Sequence, residues 1–296
     1  MPLVQEMKPL EVEAYVDAVS LEAAVRALAD GAGTPVAGGT DLWIQKEIGK
    51  RAFGRRLVNI RRVAGLGGIA ESDGRVRIGA LATMTEILEC PLLRRVAPVL
   101  PATADRFASV QIRNAATVGG NIANASPAAD MVLPLICLDA EVEIARWHEQ
   151  RVVRRYLPLA AFFTGPGRTR AAPDELITAI SFERPPSGFQ AAFHKSGPRP
   201  ALEIARVALC IAGRREGRRL SAVRLAVGAV APTPMRCPRT ETAIEGAALD
   251  GAAIARALDS LGREIAPIDD VRGSAWYRRH LAAAFLEEEL GRVAQG

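Results

Sequence analysis

Two glycine pairs, Gly38-Gly39 and Gly119-Gly120, constrain this chain more than any other feature. The first lies in Pro35-Val-Ala-Gly-Gly-Thr-Asp-Leu42 and the second in Thr117-Val-Gly-Gly-Asn-Ile-Ala-Asn-Ala-Ser-Pro-Ala-Ala-Asp130. Each follows a short apolar stretch and leads into Thr, Asn and Asp. Glycine has no Cβ, so the backbone turns sharply at such a pair and comes close to a ligand. Two of them, remote in sequence, suit a pair of cradles closing on one diphosphate, with backbone hydrogen bonds from both. Thr40, Thr117 and Asn121 add short polar side chains at the same edges, and Asp130 is placed to accept from a sugar hydroxyl.

The pattern predicts strands over 13–16, 34–37, 57–60, 75–81 and 141–146. It predicts helices over 21–30, capped by Ser20 and stopped by Gly31, and over 41–48. A further helix is expected over 92–107, interrupted near Pro98 and Pro101, and another is capped by Ser126 with Pro127 at its first position. Gly65-Leu-Gly-Gly-Ile-Ala70 matches G-x-G-x-x-A, but a dinucleotide fingerprint must open a helix. This one runs through Glu71-Ser-Asp-Gly74 into a strand and reads as a surface turn. After a strand over 176–182 comes the breaker cluster Arg184-Pro-Pro-Ser-Gly188. Beyond it lie strands over 190–195, 207–213 and 223–230, with a turn at 214–217, then helices over 241–246, 252–265 and 274–293. Strands followed by helices make a separate α+β unit.

The 296 residues are 49% hydrophobic and 24% charged, an ordinary soluble composition. Aromatics make up only 5%, so aliphatic side chains must fill the core. The net charge of +5 comes from scattered arginine pairs accompanied by acids. Nucleic-acid binding would need a basic stripe with interleaved aromatics; these pairs fit a solvated surface or an acidic protein partner. The four cysteines show no CxxC spacing and there are three histidines, which argues against zinc or iron–sulfur ligation by this chain. Met1 to Glu13 has no secretory apolar core, and no run approaches the roughly 20 residues of a membrane span, so the expected compartment is the cytoplasm. No G-x-S-x-G, H-E-x-x-H or Walker A pattern is present, and His148, His194 and His280 lie in distant contexts. Any activity must therefore come from a cofactor. Read from the residues alone, the glycine elements fit a hydroxyl-rich dinucleotide such as FAD, or two structural turns with caps.

Over nearly its whole length the chain resembles the FAD-binding medium subunit of molybdenum hydroxylases, the xanthine dehydrogenase and carbon monoxide dehydrogenase family. Ala37-Gly-Gly-Thr-Asp-Leu42 resembles the first FAD diphosphate motif, and Gln111 through Asp130 the second. Phe162-Phe-Thr-Gly-Pro-Gly167, Gly228-Ala-Val-Ala-Pro-Thr-Pro234 and Asp270-Val-Arg-Gly-Ser-Ala-Trp-Tyr-Arg-Arg-His280 add to the match. The resemblance implies an α+β chain: a two-subdomain FAD-binding fold of the vanillyl-alcohol-oxidase (PCMH) type over 1–56 and 57–183, then a smaller C-terminal domain over 184–296. It implies that Pro35, Val36, Ala37, Gly38, Gly39, Thr40, Asp41 and Leu42 wrap one side of the diphosphate. Thr117, Gly119, Gly120 and Asn121 would grip the other, and Asp130 would bond sugar or ribityl hydroxyls. Phe107 falls where a family aromatic stacks on adenine, or is a core residue. Lys195 falls near a family lysine close to the flavin, or is a surface lysine. Ala171 replaces a larger apolar residue beside the isoalloxazine. With no cysteine-rich insertion, FAD alone is expected here. A large molybdopterin-binding subunit and a small subunit with [2Fe–2S] clusters are the implied partners, in a dimer of heterotrimers. Electrons would pass from the clusters through FAD to an external acceptor. A stand-alone flavin oxidoreductase and an assembly module that has lost FAD are the alternatives.

Overall fold

A computed structural model describes residues 12–197 and 203–295. In the first of its three main sheets, β1 (Ala14–Asp17) and β2 (Gly33–Val36) flank β3 (Arg56–Asn59) and pair parallel to it. Parallel neighbours need a crossover. Helix α1 (Leu21–Leu28) supplies one: Ser20 Oγ accepts from the Ala23 N–H at its start, and Ala24, Val25 and Leu28 are buried along one face. Helix α2 (Leu42–Glu47) follows β2. Residue 56, the expected subdomain boundary, begins the strand that completes this sheet.

The second sheet is antiparallel. Its strands are β4 (Ile69–Ser72), β5 (Arg75–Gly79), β6 (Glu141–His148), β7 (Arg151–Pro158) and, after the small ribbon of β8 (Phe163–Gly165) and β9 (Arg168–Thr169), β10 (Glu175–Glu183). Their order is β4-β5-β10-β6-β7, and central β10 is buried from Glu175 to Phe182. Between β5 and β6 run α3 (Met84–Glu89), α4 (Pro91–Val96), α5 (Val99–Asp105), α6 (Val110–Arg113), α7 (Val118–Ala123) and α8 (Val132–Cys137).

The third sheet is an antiparallel meander of β11 (Phe189–Ser196), β12 (Val207–Glu216), β13 (Arg219–Gly228) and β14 (Met235–Arg236), followed by α9 (Pro238–Ile244), α10 (Gly251–Glu264) and α11 (Ala275–Ala294). Strand side chains alternate between faces, and β12 uses this to join two cores. Ala208, Cys210 and Ala212 are small and pack into the core that holds α8; Val207, Leu209 and Ile211 are larger and pack against α10 and α11. The C-terminal sheet thus shares a core with the middle of the chain.

The α+β organisation agrees with the sequence expectation, with local departures. The helix expected over 92–107 is two helices, α4 and α5, because Pro91 starts α4 at its first position and Pro98 separates it from α5. Ser126 does not cap a helix: its Oγ accepts from the Ala128 N–H, closing a short turn, and α8 begins only at Val132. Gly65 and Gly68 adopt positive φ in a turn before β4, so the G-x-G-x-x-A match opens no helix. Strand β7 escaped the pattern because arginines interrupt its apolar residues.

Leu209 is fully buried. Leu209→Ala should cost about 2–5 kcal/mol of stability, read from urea unfolding; an unchanged midpoint would contradict the packing of this face of β12 against α10 and α11.

Candidate functional site

A cleft of about 640 Å³ lies between the first and second sheets, within the roughly 300–1,000 Å³ typical of small-molecule sites. Both glycine motifs line it, together with the β8–β9 ribbon and the start of β10.

The first wall is the turn between β2 and α2. Gly39 has φ +70°, a left-handed conformation that favours glycine, and a Cβ there would lie 2.6 Å from the Trp43 indole nitrogen. Gly38 has a different reason: its Cβ would lie 1.9 Å from the Ala115 carbonyl oxygen. The first motif therefore packs backbone to backbone on the segment that leads into the second. Among the described residues, no hydrogen-bond partner accepts from the backbone N–H of Gly38, Gly39, Thr40 or Asp41. Consecutive free N–H groups in a glycine turn form an anion-binding concavity.

The second wall works differently. Gly119 and Gly120 do not make a sharp turn; they are the second and third residues of α7. The Thr117 hydroxyl accepts from the Gly120 N–H at 3.1 Å, the Val118 N–H donates to Ala82 O at 2.9 Å, and the Gly119 N–H donates to Ala80 O at 2.9 Å. The Asn121 N–H donates to Thr117 O. These four backbone donors are engaged, so this wall differs from the first. Gly119 is required because a Cβ would meet the Ala80 Cβ at 2.7 Å. What this wall presents to the cleft is the open surface of Gly120; Asn121 also lines it, and its Oδ1 is buried with no partner among the described residues.

A side-chain bridge ties the walls together. Asn124, at the end of α7, donates to Asp41 Oδ2 at 2.6 Å and accepts from Gln45 Nε2 at 2.6 Å. Burial raises the Asp41 carboxyl above its ordinary range.

Of the sixteen expected site residues, all but Val36, Asp130 and Lys195 line the cleft. Phe107 lines it and also packs on the central core. Lys195 is no surface lysine: its side chain is fully buried, with Nζ donating to Asp130 Oδ2 at 2.6 Å, Glu203 O at 3.1 Å and Arg106 O at 3.3 Å. Asp130 Oδ1 is buried with no partner among the described residues. Burial pushes the Asp130 carboxyl up to about 6, and the attraction of Lys195 offsets only part of that. Sequence reasoning gave no site role to Thr164, Gly167 or Arg168, which also line the cleft. The signal was the Phe162–Gly167 motif, whose Gly167 N–H donates to Ala125 O at 3.0 Å and anchors the ribbon on the second wall.

The cleft fits an extended diphosphate-bearing cofactor: free N–H groups on one side and a bare Gly120 on the other. Comparisons agree. The family described as the FAD binding domain in molybdopterin dehydrogenase matches residues 8–184, and the CO dehydrogenase flavoprotein C-terminal domain matches 191–293. The chain is 35% identical over 279 residues to the xanthine dehydrogenase FAD-binding subunit of Escherichia coli O157:H7, covering 93% of this chain and 94% of that one. It is 31% identical over 291 residues to the 6-hydroxypseudooxynicotine dehydrogenase complex subunit alpha of Paenarthrobacter nicotinovorans, covering 97% and 96%. A solved structure of CO dehydrogenase from Oligotropha carboxidovorans superposes with a TM-score of 0.89 at 28% identity, covering 98% of this chain and 99% of that one. The chain belongs to the family of FAD-binding medium subunits of molybdenum hydroxylases.

Two outcomes follow from the geometry. Gly38→Ala forces apart the two motif backbones and should cost at least about 1–3 kcal/mol in urea unfolding; wild-type stability would refute the contact. Asp130 has its folded pKa raised above the unfolded value, so its carboxylate costs stability at neutral pH, and that cost is relieved as pH falls through about 6 toward the ordinary range. Wild type should therefore gain stability relative to Asp130→Asn between pH 7.5 and pH 5, both roughly chosen to bracket the titration; a relative loss would contradict the assignment.

Proposed function

We propose that this chain, as an FAD-binding subunit of a molybdenum-containing dehydrogenase, holds FAD across the cleft and relays electrons through it. They come from the [2Fe–2S] clusters of a small partner subunit and leave to an external acceptor. The observation that carries this is the run of backbone N–H groups at 38–41 with no acceptor among the described residues, in a cleft that both glycine motifs line. Bound flavin supplies electron exchange in ones or twos, which no side chain in this site offers.

The chain's own residues would bind and orient. The N–H groups of Gly38 to Asp41 would neutralise phosphate oxygens. Thr40, Thr117 and Asn121 would add side-chain hydrogen bonds. Pro35, Ala37 and Leu42 would form the apolar floor of the first wall, with Val36 behind them. Phe107 and Ala171 would offer apolar surface to a ring system, with Arg168 as a cation at the same side. Asp130 and Lys195 would act from behind the second wall, holding the position of its far end.

Substrate oxidation would take place in a large molybdopterin-binding subunit, with the assembly a dimer of heterotrimers in the cytoplasm. Support for partnership comes from the relative named as a subunit of a dehydrogenase complex. We place the first FAD-binding subdomain through β3 to residue 59, the second to 183 and the C-terminal domain from 184, because β3 lies between β1 and β2. The lost-FAD reading is disfavoured by the open N–H groups, which a packed remnant would have closed.

Gly120→Val tests the proposal. Gly120 is exposed in the cleft, and the nearest atom to an added Cβ is the Thr117 hydroxyl at 2.9 Å. The variant should remain folded, with a modestly lower thermal transition as the Thr117 cap shifts, but lose flavin absorption on purification, with FAD affinity down by about tenfold or more. Full flavin content in the variant, or none in wild type, would count against the reading.

A further inference from the structure

The second glycine motif is fixed at its far end by contacts at Asn124, Ala125 and Pro127. Asn124 donates to Asp41 across the cleft. Ala125 O accepts from the Gly167 N–H of the β8–β9 ribbon at 3.0 Å. Pro127 O accepts from the Ala229 N–H at 2.7 Å, and Ala229 belongs to the C-terminal domain. The first two contacts go to cleft walls; the third reaches outside.

Ala229 is a non-glycine residue at φ +60°, a strained conformation that persists only where its surroundings over-determine it. Its N–H holds Pro127, and its carbonyl accepts from Arg278 NH1 at 2.6 Å. Arg278 on α11 is 3% exposed, and its NH2 donates to Asp270 Oδ1 at 2.5 Å. Gly228 presses on the same spot: a Cβ there would meet Pro127 O and Leu133 Cδ1, each at 3.3 Å. Three sequence motifs, at 117–130, 228–234 and 270–280, therefore converge on one hydrogen-bonded chain. A buried guanidinium is costly unless it is well bonded, and α11 already has an apolar face to attach it to its own domain.

We propose that Arg278 is a positioning residue for the cofactor cleft: through Ala229 it holds Pro127, and so fixes the second wall from the C-terminal domain. This rests on the FAD reading above. Arg278 itself does not line the cleft, so its effect passes through the backbone of 124–127. The C-terminal domain then sets cofactor affinity as well as completing the fold.

The test compares FAD binding by flavin-depleted full-length chains, followed by flavin fluorescence, at a temperature where circular dichroism shows each folded. Arg278→Met should weaken binding about tenfold, as loss of a buried hydrogen-bond partner does. Arg278→Lys, which keeps a donor for Ala229 O, should recover much of that. Leu286→Ala is the control: Leu286 is fully buried on the same helix in the C-terminal core. It should lower the thermal midpoint yet leave FAD affinity within about twofold, as distant sites do. Asp270→Asn loosens Arg278 from its more exposed side and should weaken binding by a smaller factor, which keeps the test decisive if Arg278→Met does not fold. The proposal is overturned if Arg278→Met, or Asp270→Asn in its place, binds as wild type does. It is equally overturned if Leu286→Ala weakens binding as much as Arg278→Met. Failure of the wild-type chain to bind FAD would instead bring down the functional reading, and this inference with it.

Discussion

The Ala115 carbonyl oxygen sits where a Cβ on residue 38 would have to be. That contact between two backbones is the constraint on which the site depends. It sets the first motif, on the parallel sheet, directly against the second, among the helices that follow β5. Close packing of this kind leaves no room for a methyl group. The cleft is the space beside the contact, and the Gln45–Asn124–Asp41 bridge fixes its width.

The two glycine pairs look alike in sequence and do different jobs. The first is a turn with open N–H groups, which suits an anion. The second begins a short helix whose N–H groups are consumed by Ala80, Ala82 and Thr117. Its glycines serve approach: Gly119 lets α7 lie on Ala80, and Gly120 leaves the cleft floor bare. Buried polar groups in folded proteins are nearly always paired, so the lone buried Asn121 oxygen is informative.

Much of this was legible beforehand. The pairing of two remote glycine motifs on one cleft followed from Pro35–Leu42 and Thr117–Asp130, and the α+β class followed from element order. The helix at 118–123 was hidden because glycine is a poor helix former, and its backbone saturation depends on Ala80 and Ala82, more than thirty residues earlier in the chain. Lys195 was hard to place because its burial depends on acceptors that include Asp130 and Arg106, far away in sequence. The ribbon at 163–169 was visible only as a motif, since neither of its strands exceeds three residues.

The C-terminal sheet is part of the same mechanical unit, because β12 shares a core with α8 while Ala229 and Lys195 reach the second motif. The most direct test of the whole account is the structure of the full-length chain with FAD bound. The account predicts diphosphate oxygens within hydrogen-bond reach of the N–H groups at 38–41, with the Asn121 side chain facing them from the opposite wall. A diphosphate held by the α7 backbone alone, or lying outside the wall where Gly38 meets Ala115, would contradict it.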